Sequence, residues 1–210
     1  MISKRNIKLG EIPNWSLPPK ESCPGRTEDT VIKGKLEKGC SDLCYVGGRA
    51  GYLRVFKSAG VAYEKNLDSV LLNPDWKVEV MRFLSKRQPP IFRIHVSGDF
   101  FSPKYIGEWG QIMAMFPNTR FLAYTRSWRL PRLRKELNRL RNQQANFSCF
   151  ASLDGVAHNA PKGWRQAWMG QPRTEEKAVL CPGYGPKELT CDKCTLCFRD
   201  NKVNVYFPIH

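Results

Sequence analysis

The chain has 210 residues, 41% of them hydrophobic and 25% charged, a balance that suits one sizeable folded core. No apolar run reaches the ~20 residues of a membrane span, and the basic opening MISKRNIKLG lacks the apolar stretch of a secretory signal, so a cytoplasmic protein without a membrane partner is expected. Lys and Arg outnumber Asp and Glu by 34 to 19, a formal charge of +15 that either solvates the surface or meets an anionic partner, nucleic acid first.

Residues 1–22 contain IPNWSLPPKES, where the prolines oppose a helix and leave an extended segment with one short strand. A loop-rich stretch follows, from SCPG to GCSDLCYVGGR, with Gly25, Gly34, Gly39, Gly47 and Gly48. From Tyr52 to about Asn66 the spacing predicts a helix with Tyr52, Val55, Phe56 and Ala59 on one face. Asn73-Pro74 starts a second helix that groups Trp76, Val80 and Phe83, and Gln88-Pro89-Pro90 ends it.

Ile91 to Phe101 is the stretch around which the rest is arranged. Phe92, Ile94 and Val96 alternate with Arg93, His95 and Ser97, which predicts a strand with one apolar and one polar face. Ser97-Gly98-Asp99 then forms a polar loop, and Ser102-Pro103 supplies an N-cap and first helical residue. In strand-helix folds such a loop lies where ligands bind. The floor of a site is therefore expected here, with cysteines from both ends of the chain converging over it.

Tyr105, Trp109, Ile112, Met113 and Phe116 form the core stripe of the next helix. RFLAYT, Arg120 to Thr125, is the next strand. Leu130, Leu133, Leu137 and Leu140 mark a further helix whose opposite side carries Arg132, Arg134, Lys135, Arg139 and Arg141, a candidate phosphate-contacting patch. Asn146 to Leu153 is a strand ending at Asp154-Gly155, a short helix is expected around Trp164 to Met169, and Lys177 to Leu180 and Val203 to Phe207 are strands. Six candidate strands alternating with helices argue for a parallel α/β sheet, read as a partial (βα)6 TIM-like barrel with a cysteine-rich C-terminal lobe. One domain is expected over 1–210: a cysteine-containing loop region over 1–50, a βα core over 51–180, and the lobe with the last strand over 181–210.

Eight cysteines is a high count for a reducing compartment, and their grouping points to metal or cluster binding rather than disulfides. Cys181, Cys191, Cys194 and Cys197 form C-x9-C-x2-C-x2-C. Three ligands crowded into seven residues favour a [4Fe-4S] cluster, with zinc the alternative. Cys23, Cys40 and Cys44 form C-x16-C-x3-C. Three thiolates on a four-iron cube leave one iron open to a small molecule, unless a fourth residue such as Cys149 or a histidine, His95 for example, completes a structural site. Cys149 lies inside a strand, where a buried thiol is the default, and His210 reads as exposed.

CYVGGR after a cysteine-rich loop, and SGDF, YTRS and SLDG each after a strand, resemble the radical S-adenosylmethionine (SAM) superfamily. From SCPG to VYFPIH the chain more closely resembles small phage and plasmid proteins grouped as gene product eighty-eight-like. The superfamily resemblance implies a radical SAM-type barrel, with Cys23, Cys40 and Cys44 on a SAM-cleaving cluster. Ser97, Gly98 and Asp99 would match the motif whose acid holds the SAM amino group, with Thr125 and Asp154 on the same rim. The late cysteines would carry an auxiliary cluster, and a reductant protein would be a partner. The expected function is reductive cleavage of SAM to modify an anionic or nucleic-acid substrate. The alternative is a non-catalytic iron-sulfur or zinc protein that binds nucleic acid.

Overall fold

The computed structural model describes residues 1–4, 6–48, 51–172, 177–186, 188–199 and 202–209. Arg49 of CYVGGR and His210 lie outside them. The elements run β1 (Asn14–Trp15), β2 (Thr30–Ile32), β3 (Lys35–Glu37), α1 (Lys57–Leu72), α2 (Trp76–Arg87), β4 (Ile91–Ile94), α3 (Pro103–Met115), β5 (Arg120–Thr125), α4 (Pro131–Gln143), β6 (Phe147–Leu153), β7 (Arg165–Met169), β8 (Ala178–Leu180), α5 (Cys191–Cys194) and β9 (Asn204–Phe207). Seven strands form one sheet in the order β1-β4-β5-β6-β7-β9-β8, and every pairing in it is parallel. β2 and β3 form a separate antiparallel hairpin.

The sheet is covered on both faces, as parallel sheets are. On one side, Trp15, Phe92, Ile94, Phe121, Cys149, Ala151 and Trp168 pack against Trp76, Trp109, Leu137 and other core residues of the helices. On the other, Leu122, Phe150, Ala167 and Val205 pack on Leu9, Ile12 and Phe198, with Leu196, Cys191 and Cys197 against them. The C-terminal lobe therefore lies on the inner face of the sheet. It also ties the sheet's two edges: Lys8 Nζ donates to the Gly183 carbonyl (3.1 Å), Cys191 N to Lys8 (2.9 Å), and Glu11 N to the Asp192 carboxylate (3.2 Å).

The helix after β4 begins as its sequence predicts, with Ser102 Oγ accepting from Tyr105 N at 3.2 Å and Pro103 at the first position. Leu133, Leu137 and Leu140 are the buried stripe of α4. Three readings are corrected. The segment expected as a helix around Trp164 to Met169 is strand β7, a seventh strand of the sheet. Ala167 and Trp168 are buried on opposite faces, so alternation is erased and the segment does not read as a strand. α1 starts only at Lys57, after a short turn at 52–54, and Val55 and Phe56 stay exposed rather than joining a core face.

The third correction concerns β4, whose two-faced pattern holds only to Ile94. His95 takes a left-handed backbone (φ 61°), and this kink exchanges the faces. Arg93 projects onto the inner side, over the Tyr124 ring. The His95 ring instead lies among Phe100 and Tyr105 on the helix side, and Val96 joins the inner apolar cluster. Arg93 Nε and Nη2 both donate to the His95 carbonyl at 3.2 Å and hold the kink. Arg93, His95 and Ser97 thus do not share one polar face.

Candidate metal centres

The three strand-end motifs bind one another before they bind anything else. Asp99 is buried, and its carboxylate accepts from Phe100 N (2.7 Å), Thr125 Oγ1 (2.5 Å), Arg126 N (2.7 Å) and Ser127 N (3.2 Å). Burial raises its pKa, and these four donors oppose the rise. Asp154 is equally occupied, by Val156 N (2.9 Å), Ala157 N (2.6 Å), Thr27 Oγ1 (2.5 Å) and the Arg126 guanidinium (2.5 Å). A carboxylate has about four acceptor sites, so neither acid has one left for a ligand's amino group. Their work is to join the loops after β4, β5 and β6. Ser97 Oγ is buried and has no hydrogen-bond partner among the described residues. Gly98 sits at φ 81°, where a side chain would strike Leu17 and Ser22.

This network reaches the early cysteines directly. Thr27 donates to Asp154, accepts from Cys40 N (2.8 Å), and gives its own N–H to Cys40 Sγ (3.3 Å). Gly47 N donates to Cys44 Sγ at 3.4 Å. Gly25 lies so close to the Arg126 carbonyl that a Cβ there would stand 2.2 Å from its oxygen, so only glycine lets the two backbones meet. Arg129 Nη1 clamps the same loop through the Gly25 and Arg26 carbonyls, at 2.9 and 2.8 Å. Burial pushes the Cys23 thiol up to about 12, helped by the charge of Asp99 and by Cys44 and Cys40. The three thiols and Asp99 are therefore near neighbours at the carboxyl ends of the strands. An open cleft of about 720 Å³ adjoins them, lined by Lys20, Glu28, Asp29, Ser41, Asp42, Gly47, Gly48 and Arg54. Those charged residues carry no motif, and nothing local in the sequence singles them out.

The late cysteines form a second group, apart from the first. Cys191 is pushed up to about 12 by burial, against the pull of Arg93, and also feels Cys181, Cys197 and Cys194. Burial likewise raises Cys181 and Cys197. Tyr124 donates its hydroxyl to Cys197 Sγ at 3.0 Å. The carbonyls of Cys197 and Arg199 are both held by Arg165 Nη1, at 3.2 Å each. Tyr45 donates its hydroxyl to the Val96 carbonyl. The early group lies beside Asp99, and the late one packs on the inner face of the sheet.

Among the described residues, no group of three or more His, Cys, Asp or Glu is disposed around a single metal ion. Within each group the thiols act on one another's charge. Thiolates are a donor set for zinc and for iron-sulfur clusters alike. A metal or cluster held there would displace the thiol protons that burial favours. Cys149 is buried among the helix-facing apolar residues, and burial raises its thiol with no other cysteine acting on it. It joins neither group. The His95 ring donates to or accepts from Tyr105 through Nε2 at 2.9 Å and is not placed with the thiols.

On α4, Arg132, Lys135 and Arg139 are exposed, while Arg134 and Arg141 are half-buried. Arg139 pairs with Glu136 at 3.4 Å, and Arg141 stacks on Trp164 at 4.4 Å and donates to the Gly163 carbonyl. Among the described residues, Arg132, Arg134 and Lys135 remain with neither an acid nor a ring as partner.

The Gene product 88 family model matches residues 2–202. The Gene 88 protein of Mycobacterium phage L5 is 29% identical over 189 residues, covering 80% of this chain and 78% of that protein. The Gene 88 protein of Mycobacterium phage D29 is 26% identical over 185 residues, covering 78% and 76%. No solved structure matches the chain. No described helix is long and apolar enough to cross a membrane.

Proposed function

The chain belongs to the Gene product 88 family, and from its cysteine geometry we propose that it is an iron-sulfur protein of radical SAM type. Its early cluster would bind and reductively cleave SAM. The carrying observation is the trio Cys23, Cys40 and Cys44, gathered beside Asp99 at the carboxyl ends of parallel strands and next to an open, charged cleft. Bound by three thiolates, a [4Fe-4S] cluster supplies one-electron chemistry at an open iron. The chain's residues do the rest. Asp99, Arg126 and Asp154 fix the loop that carries the thiols, and the N–H groups of Thr27 and Gly47 donate to the sulfurs of Cys40 and Cys44. Lys20, Glu28, Asp29, Asp42 and Arg54 offer both signs of charge to a zwitterionic ligand. Since Asp99 and Asp154 are saturated, the SAM amino group falls to an acid of the cleft in this reading. The late four cysteines hold the second, auxiliary [4Fe-4S] cluster, fed by a reductant protein.

Anaerobic purification with iron, sulfide and zinc assays is the first test: about eight irons and as many sulfides per chain are expected. Dithionite-reduced protein should then turn SAM into methionine and 5′-deoxyadenosine. Zinc without sulfide, or no binding of SAM, overturns the reading.

Arg132 and Lys135, exposed, and Arg134, half-buried, none of them paired with an acid among the described residues, favour a second reading: a cluster- or zinc-stabilised protein that binds nucleic acid without catalysis. It predicts affinity for nucleic acid that falls steeply with salt and survives loss of SAM binding. Salt-independent binding, or none, removes it.

A further inference from the structure

Arg93 is a buried cation with no acid beside it. It is 7% exposed, as is Arg126, but Arg126 has Asp154 at 2.5 Å and Arg93 has no ion-pair partner among the described residues. A buried charge is costly unless something of opposite sign faces it. The contacts of Arg93 are a carbonyl, that of His95, and the face of Tyr124 at 3.9 Å. Both attract a cation, and neither neutralises it.

Sulfur is the remaining candidate. Arg93 lies over Tyr124, which packs in the same inner cluster as Cys191 and Cys197. Tyr124, beneath the guanidinium, points its hydroxyl at Cys197 Sγ. Asn14, opposite Arg93 on the neighbouring strand, has a buried Nδ2 without an acceptor. Lys8 reaches the Gly183 carbonyl, two residues beyond Cys181, and Arg165 holds the Cys197 carbonyl. The inner face is thus rich in donors and cations and poor in acceptors, with four sulfurs as its counterpart.

We propose that Arg93 is the internal counter-cation of the Cys181, Cys191, Cys194 and Cys197 thiolate centre, and that it sets the potential at which that centre accepts an electron. This rests on the reading of that centre as a [4Fe-4S] cluster. Four thiolates leave such a centre negatively charged, and one added electron makes it more so. A fixed cation close by favours the reduced form, and its loss drives the midpoint negative.

The test uses full-length chain, reconstituted anaerobically with iron and sulfide. A Cys23→Ala background leaves the late centre to be read alone. Dithionite-poised titration, followed by electron paramagnetic resonance, gives its midpoint. In Arg93→Gln the midpoint is expected to fall enough to cut the reduced-to-oxidised ratio at least tenfold at the parent's midpoint, about 59 mV for one electron. Arg93→Lys should keep most of the parent value. Tyr124→Phe, which keeps the ring and loses only the sulfur contact, should shift the same way by less. An intact centre with an unmoved or more positive midpoint in Arg93→Gln overturns the inference and leaves the cluster reading standing. Should Arg93→Gln take up no iron, recovery by Arg93→Lys together with the negative shift in Tyr124→Phe supports the proposal. Absence of either of those results overturns it. A parent that takes up neither iron nor sulfide overturns both readings.

Discussion

The two cysteine groups are anchored by opposite means. Cys23, Cys40 and Cys44 are held through acids: Asp99 gathers backbone N–H groups, Asp154 binds Arg126 and Thr27, and Thr27 binds Cys40. The late group is held through cations and apolar residues: Arg165 binds the Cys197 carbonyl, Lys8 the Gly183 carbonyl, Arg93 covers Tyr124, and Cys191 and Cys197 pack with Phe198 and Val205. An acid-built frame resists added negative charge, as the effect of Asp99 on Cys23 shows. A cation-lined frame attracts such charge. The first group has three thiols and opens on a cleft, whereas the second has four and is packed against the sheet. On the proposed reading, this difference separates a place for a ligand from a place for an electron.

The comparison is broken most severely at Asp154. Asp154→Ala strands Arg126 as an unpaired buried charge and should cost about 3–5 kcal/mol of stability in chemical denaturation. Iron should be lost from the early centre before the late one. His95 gives the next largest effect. Burial, with Arg93 adding to it, lowers the His95 pKa to about 3, so the folded protein keeps it neutral while the unfolded chain protonates it near 6.5. The unfolded state then binds more protons between these values, and stability falls as pH drops from 6.5 to 3, by on the order of 4 kcal/mol. A denaturation series against pH should show this slope in the parent and a flatter one in His95→Gln. Thr27→Val removes the bridge between Asp154 and Cys40. It should cost about 1–3 kcal/mol and lower iron content by roughly half, leaving the late centre filled. Smallest in stability is Arg132→Gln with Arg134→Gln and Lys135→Gln, expected to stay within about 0.5 kcal/mol. Only nucleic-acid affinity at low salt should fall.

The alternation of strands and helices was legible because helices α2, α3 and α4 carry clear apolar stripes and α3 a Ser-Pro start. β7 was not, because both of its faces are covered and its buried residues are consecutive. The kink at His95 was hidden for another reason: residue type alone does not reveal a left-handed backbone, and the alternation continues through it in letters while the chain turns over. At the site, Asp99, Thr125 and Asp154 stood out by following strands, and all three lie in the strand-end network. Their tasks were misread, since the partners that saturate Asp99 and Asp154 come from as far as 28 and 127 residues away. The division of cysteines into an early and a late group was readable from spacing, but the cations around the late one were not. Arg93 lies about a hundred residues before Cys191 in the sequence.

The seam between the segment before β1 and the late lobe carries a consequence for how the molecule is made. Lys8 and Gly183, and Glu11 and Asp192, are partners across 175 and 181 positions. A nascent chain leaving the ribosome would wait for almost its whole synthesis before these two stretches could join, and such distant pairings close slowly. Until then the two rims of the sheet stay unfastened, and metal delivered early would meet only the first set of sulfurs. Loading would therefore be sequential, in the order in which the thiols are translated.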